Sequence, residues 1–365
     1  MSIQSPSREN NSDVKLDEDK TTLERYETYP ENLKLSEDYK VLVLSGGGSK
    51  GVILLGMLHR LVNKKLSSEV LRNDPDDSGL VNYLSGIESF VGTSIGSVIC
   101  FLLLITLTPV EVLSYICTKD LSVDTKINIL LLISKCGIMS FDVFFDEIQK
   151  TTEERLGFIP TMSELYELFH KEFVCVTHNM STDETVYIDH ISHPNLSCIE
   201  ALKMSCNVPL IFEKYMYDKC FYIDGAVSDN FPIEYASKRY PTKKILGLYV
   251  EKVLPCVRED RDQDIMTYVK VILTLSFRLN CKRSKSFKAD NVDMIMATVN
   301  DSFPEWKFDI TNSTKRFNFF SIGYKIVDDI DKSDEPGEVA QEPTIEEKIK
   351  ELELGCRNRM KIKTE

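Results

Sequence analysis

Residues 89–97 read Ser89-Phe90-Val91-Gly92-Thr93-Ser94-Ile95-Gly96-Ser97. A short apolar run, Phe90 and Val91, enters Gly92-x-Ser94-x-Gly96, and an apolar segment, residues 98–107, follows at once. This order reads as strand, sharp turn and helix, the context of a Gly-x-Ser-x-Gly nucleophile elbow. A serine in so tight a turn projects its hydroxyl out of the fold. A side chain at either flanking glycine would collide with the neighbouring strand or helix. The helix that starts after Ser94 aims its free N–H groups and positive dipole end at developing negative charge.

Upstream, Val41-Leu42-Val43-Leu44 is a continuous apolar run, the mark of a strand buried on both faces. Gly46-Gly47-Gly48-Ser49-Lys50-Gly51 closes it, and helical spacing (Val52, Leu55, Leu58, Val62) runs over residues 52–65. Three readings of this turn stand side by side. Gly46-x-Gly48-x-x-Gly51 fits a dinucleotide fingerprint, which needs an acidic residue about 20 positions on at the end of a second strand. Glu69 stands near that distance, but residues 61–71 read as helix. A phosphate loop of the Walker type is excluded, because no Gly-Lys-[Ser/Thr] is present. Consecutive glycines also let backbone N–H groups converge on one point, as an oxyanion hole requires.

Downstream, residues 173–177, 185–188, 220–223 and 244–250 read as strands, and residues 199–206 as a short helix broken before Pro209. Strands alternating with helices indicate an α/β sheet covered by helices on both faces. Asp224-Gly225-Ala226 ends one of these strands, with Asp229-Asn230-Phe231-Pro232 just beyond. Strand carboxyl ends line the crevice of a parallel sheet. If Ser94 and Asp224 end neighbouring strands, the carboxylate can take the serine proton; a plain Asp-Gly turn is the alternative. All five histidines precede Asp224, so a Ser–Asp–His triad would draw on Asp183 or Asp189 with His193.

Acidic residues outnumber basic ones 57 to 44 in the 365-residue chain, a net of −13. Bulk electrostatics therefore oppose nucleic acid and give no general attraction to anionic membranes. The N-terminal segment lacks an apolar h-region, and the longest apolar runs, residues 98–107 and 127–133, are shorter than the roughly 18 residues of a bilayer span. Ten cysteines are scattered without C-x-x-C pairs or a zinc-spaced cluster, so the expectation is no metal, a reducing compartment and a soluble, cytoplasmic protein. Residues 1–38 read as a disordered or loosely attached arm and residues 39–250 as the α/β domain. Residues 251–327 read as a helical extension packed on it, 328–343 as an acidic linker and 344–365 as a charged terminal helix. Residues 264–279 are apolar on much of their circumference and run into a basic cluster (Arg278, Lys282, Arg283, Lys285, Lys288). That suits either a core helix with a solvated end or an interfacial helix.

Gly-Gly-Gly-x-Lys-Gly at 46–51, Gly-x-Ser-x-Gly at 92–96 and Asp-Gly-Ala at 224–226, in this order, resemble the patatin-like phospholipase family. Residues 201–212 (ALKMSCNVPLIF) resemble the family's segment before its aspartate, and residues 224–233 its Asp-Gly-Gly/Ala stretch continuing to Asn-x-Pro. The resemblance covers residues 40–235 and is weak beyond them. It implies a three-layer α/β/α patatin-like fold with a mainly parallel central sheet. It also implies a lipid or phospholipid acyl-ester substrate, transient contact with a membrane surface, and no cofactor. Carried over, Ser94 is the nucleophile, Asp224 the base, and Gly46, Gly47 and Gly48 the oxyanion donors. Lys50, Gly51, Gly92, Gly96 and Gly225 support the motifs. Lys50 stands where the family more often has Arg, which keeps the charge and loses the planar fork. An unperturbed Asp, pKa about 3.9, is a weak base for a serine hydroxyl, and burial at a strand end would raise it.

Overall fold

The computed structural model describes residues 22–36, 38–65, 80–81, 84–118, 136–139, 142–253, 275, 279–280, 282–300 and 313–333. The first half of the chain forms β1 (Thr22–Tyr29), β2 (Tyr39–Leu44), α1 (Gly51–Val62), β3 (Lys64–Lys65), β4 (Leu80–Val81), β5 (Ser89–Thr93), α2 (Ile95–Leu104), α3 (Pro109–Thr118), β6 (Gly137–Met139), α4 (Asp142–Leu156) and α5 (Met162–Phe169). The second half forms β7 (Glu172–Asn179), β8 (Glu184–Ile188), α6 (Cys198–Ser205), β9 (Leu210–Phe212), β10 (Tyr215–Tyr217), β11 (Cys220–Asp224), α7 (Ile233–Arg239), β12 (Lys244–Val253), β13 (Val292–Asn300) and α8 (Ser313–Ser333).

Nine strands join in one sheet. Its centre, β13-β12-β2-β5-β7, is parallel. Strand β1 is antiparallel on β13, and β8, β11 and β10 add antiparallel pairings at the other side. The apolar run of β2 divides by the strand period of two. Val41 and Val43 pack with Val91, Val174 and, on α7, Ile233 and Ala236. Leu42 and Leu44 face the opposite layer, with Leu54 of α1, Ile99 of α2 and Phe319 of α8. Helices thus cover both faces of a mixed sheet, in three layers.

The register of β7 positions the site. Thr93, the last residue of β5, pairs with Val176, whereas Asp224, the last residue of β11, pairs with the next residue, Thr177. Residues 177–179 also pair with β8, so β11 must occupy the β7 edge that β5 has just vacated. The two strands run in opposite directions and meet end to end. The condition that Ser94 and Asp224 end neighbouring strands is met in an antiparallel sense: both strands end on β7, head to head, which brings the two residues face to face.

Three boundaries differ from the sequence reading. Residues 22–29 of the expected loose arm form an edge strand, and Leu33 is buried; one solvated face makes the segment look polar. Within the expected helical extension, residues 292–300 are strand β13, covered on both faces by Met294 and Met296 on one side and Ile295, Ala297 and Val299 on the other. Residues 328–333 of the expected acidic linker belong to α8, where Asp328 and Asp331 bind Arg60 of α1 at 3.0 and 3.1 Å. Helices α1 and α8 cross at two glycines: a Cβ on Gly323 would lie 1.9 Å from the Ile53 carbonyl oxygen, and one on Gly56 2.0 Å from that of Phe320. Glu69 and residues 344–365 lie outside the described residues, as does most of 264–279; Leu275 and Leu279 are exposed. Among the described residues no helix is long and apolar enough to cross a membrane.

Candidate active site

Ser94 stands between β5 and α2 with φ 54° and ψ −127°. A non-glycine residue held there stores about 1–3 kcal/mol, a cost the surroundings must over-determine. They do so with three hydrogen bonds that involve two hydroxyls. The Ser94 N–H donates to Ser205 Oγ (2.9 Å), Ser205 Oγ donates to the Val176 carbonyl (2.6 Å), and Ser97 Oγ donates to the Ser94 carbonyl (2.6 Å). The flanking glycines permit the close approach of α2. A Cβ on Gly96 would sit 2.5 Å from the Ser45 carbonyl oxygen, and one on Gly92 2.5 Å from the Ser97 nitrogen. Next to the elbow, Thr93 Oγ1 donates to the Asp229 carbonyl at 2.9 Å, tying it to the loop after β11.

The Ser94 hydroxyl donates to Asp224 Oδ2 at 2.6 Å. Asp224 Oδ1 accepts the Ala226 N–H at 2.8 Å, so both carboxylate oxygens are engaged. Ser94 is 7% and Asp224 1% exposed. Burial pushes the Asp224 carboxyl up to about 7, against the two hydrogen bonds, which hold it down. The segment before β11 fixes the backbone: the Asp224 N–H donates to the Asn207 carbonyl (2.8 Å), and Asn207 Nδ2 donates to the Tyr222 carbonyl (2.7 Å). Asn207 Oδ1 is buried without a hydrogen-bond partner. Gly225 packs on β7, where a Cβ would lie 2.3 Å from the Val176 carbonyl oxygen.

Of the three glycines expected as donors, one has its N–H engaged within the fold. The Gly46 N–H is spent on the Asn230 carbonyl at 3.0 Å. The cause is packing: the Asn230 side chain fills the space where a Gly46 Cβ would be, and that Cβ would lie 3.3 Å from Ser94 Cβ. Among the described residues nothing accepts from the N–H of Gly47 or Gly48, and Gly48 takes a positive φ of 54°. Lys50 reaches α8. It is buried, with its amine 4.2 Å from the centre of the Phe319 ring on α8, so it anchors the loop to the last helix. Gly51 makes room for Ile95 at the start of α2.

His193 does not join the site. It bonds Ser192, and its neighbour Asp189 is held by Arg239 together with Glu172, at the opposite end of β7 from Thr177. His178 pairs instead with Asp183 at 3.4 Å. Cys206 and Cys175 lie near Asp224, but burial raises both thiols, that of Cys175 to about 12, which leaves them protonated packing groups. Among the described residues no three His, Cys, Asp or Glu side chains come together as metal ligands. Sequence reasoning assigned no role to Ser97, Ser205, Asn207 or Asn280. The first three lie inside or beside the quoted motifs. Asn280 Nδ2 reaches the Ala226 and Val227 carbonyls (3.2 and 2.9 Å) from a segment with no motif at all.

A serine on a strained strand-to-helix turn, bonded to a buried carboxyl and packed against the first glycine of the loop after β2, places the chain among three-layer α/β proteins with a nucleophile elbow. The patatin-like phospholipase model matches residues 42–237, over half of the chain, and the protein belongs to that family. It is 32% identical over 212 residues to the probable lipid hydrolase 463L of Invertebrate iridescent virus 6, covering 56% of this chain and 66% of that protein. To the uncharacterized protein R571 of Acanthamoeba polyphaga mimivirus it is 24% identical over 204 residues, covering 55% and 62%. The chain thus spans slightly less than two thirds of each relative. Among solved structures, VipD from Legionella pneumophila superposes with a TM-score of 0.43 at 17% identity, over 81% of this chain and 67% of that one.

Proposed function

We propose that the protein is a lipid acyl hydrolase that cleaves carboxylic esters of lipids or phospholipids through a Ser94–Asp224 dyad and an acyl-enzyme. The observation that carries this reading is the 2.6 Å hydrogen bond from Ser94 Oγ to a carboxylate that burial holds near neutrality. Asp224 takes the hydroxyl proton as Ser94 Oγ attacks the ester carbonyl. The oxyanion is received by the Gly47 and Gly48 N–H groups and by the N-terminus of α2. As the tetrahedral adduct collapses, Asp224 returns the proton to the departing alcohol and leaves Ser94 acylated. Water then attacks the acyl carbon, giving a proton to Asp224; as the second adduct collapses, Asp224 returns that proton to Ser94 Oγ and the carboxylic acid departs. Family membership and the lipid-hydrolase name of the viral relative support a lipid substrate. The scattered cysteines support a reducing, cytoplasmic setting, and a lipid substrate calls for transient access to a lipid surface.

The test is turnover of a fluorogenic phospholipid by the full chain beside Ser94→Ala and Asp224→Asn, each checked by thermal melt. Activity in the wild type, lost in both folded variants, is the expected result. Activity surviving in either folded variant would remove that residue from the chemistry. A wild type inert on several lipid esters would make the fold a binding scaffold.

A further inference from the structure

The end of the sheet opposite Ser94 carries a cavity of about 320 Å³. Phe90 near the start of β5, Leu103 and Leu104 in the last turn of α2, Leu107 beyond it, and Phe169 at the end of α5 form its apolar wall. Ser94 caps the other end of α2, a ten-residue helix, so the cavity lies roughly 15 Å from the serine. Its volume is at the lower end of the range for small-molecule sites, and such sites pair an apolar wall with a few placed polar groups. Among the described residues the one charged group on the wall is Lys171.

Lys171 is half-buried, with its amine 5.7 Å from the centre of the Phe90 ring. Among the described residues no carboxylate comes within ion-pair distance of it. The nearest influence is Glu88, whose two oxygens are taken by Lys40 at 3.5 Å and Lys243 at 3.1 Å. Three ammonium groups therefore share one carboxylate. Burial lowers the Lys171 pKa, and Glu88 offsets only part of this. A half-desolvated ammonium without a counter-ion gains most from a monoanion that arrives with it into the apolar site. The remaining polar side chains on the wall are hydroxyls, and that of Thr108 is spent on Glu111 at the start of α3. One cation beside an aliphatic and aromatic wall does not suit a phosphate-rich or sugar-like ligand, which would leave its polar groups unpaired.

We propose that this cavity binds a single-chain aliphatic carboxylate, with the head on Lys171 and the chain along Phe90, Leu103 and Leu107. It is the class of acid that the proposed chemistry at Ser94 would release, but binding here needs no turnover. Submicellar dodecanoate, titrated calorimetrically into the full chain at neutral pH, tests this. One site is expected in wild type and Ser94→Ala alike. Lys171→Met, which keeps the aliphatic stem, should weaken binding about tenfold or more, and Lys171→Arg should retain it. Ser85→Phe, placed to fill the cavity, should abolish binding in a variant whose circular dichroism matches that of the wild type. Dodecanol should bind at least about tenfold more weakly than dodecanoate. The proposal is overturned if dodecanoate gives no binding heat, if Ser85→Phe binds as the wild type does, or if dodecanol matches the acid. An inert Ser94 site would leave all of these outcomes readable.

Discussion

Asp224→Asn keeps the shape of the side chain and removes its charge, which separates two consequences of burying an ionisable group beside a serine. Burial raises the Asp224 pKa from 3.8 to about 7 in the folded chain, and unfolding returns it to the ordinary value. A folded-state pKa above the unfolded one gives stability that is complete below the unfolded pKa and is lost as pH rises through the folded pKa. A shift of about three units corresponds to roughly 4 kcal/mol, of which roughly 2–3 kcal/mol is lost between about pH 5 and 8. The asparagine variant escapes this loss. Its melting temperature should overtake that of the wild type by roughly 5 °C across that interval. Melts of both proteins, plotted as a difference against pH, cancel every other titrating group. On the proposed mechanism, wild-type kcat/KM should rise about tenfold per unit below pH 7 and level above it, while the variant stays inactive throughout. A flat difference curve, or an acid limb centred near the ordinary carboxylate pKa, would refute the reasoning, because either means that Asp224 ionises as though solvated.

Three further perturbations probe the supports of the site. Ser94→Gly should abolish activity and raise stability by about 1 kcal/mol in chemical denaturation, since glycine carries no penalty at φ 54°. Asn280→Ala removes the two hydrogen bonds to the Ala226 and Val227 carbonyls, in the turn whose N–H holds Asp224 Oδ1. It should cost about 1 kcal/mol of stability and move the acid limb of kcat/KM to higher pH; a limb that stays in place would make Asn280 a packing residue only. Gly323→Ala puts a methyl group 1.9 Å from the Ile53 carbonyl oxygen, so α1 and α8 must part. Overpacking of about 1–3 kcal/mol should appear as a lower melting temperature, and an unchanged melt would show that the crossing is loose.

The local chemistry of the site was legible in the sequence where a motif has only one comfortable geometry. Gly92-x-Ser94-x-Gly96 admits little besides a strand-to-helix turn, and the Val41–Leu44 run admits little besides a doubly covered strand. What failed to show was whatever depends on a partner far along the chain. β1 looks like a polar arm until β13 is beside it. Asp328 and Asp331 look like linker charges until Arg60 lies between α1 and α8. The spending of the Gly46 N–H could not be read from a glycine run, because the acceptor is the Asn230 backbone, brought in by the turn after β11.

The same distinction bears on how the proposed two-residue site would work without histidine. The proton acceptor that the mechanism requires has a pKa near neutrality, a range in which an unperturbed carboxyl does not lie and an unperturbed imidazole does. Here an aspartate reaches that range through position. The end-to-end meeting of β5 and β11 along β7 buries Asp224, and the burial raises its pKa. Only two hydrogen bonds oppose the rise, one from Ser94 itself and one from Ala226. A third donor would pull the carboxyl back toward its ordinary acidity and weaken it as a base. The neighbours of Asp224 fit that requirement: Ser205 donates to the Val176 carbonyl, and Ser97 to the Ser94 carbonyl, so these nearby hydroxyls brace the backbone of the elbow and leave the carboxylate to Ser94 and Ala226.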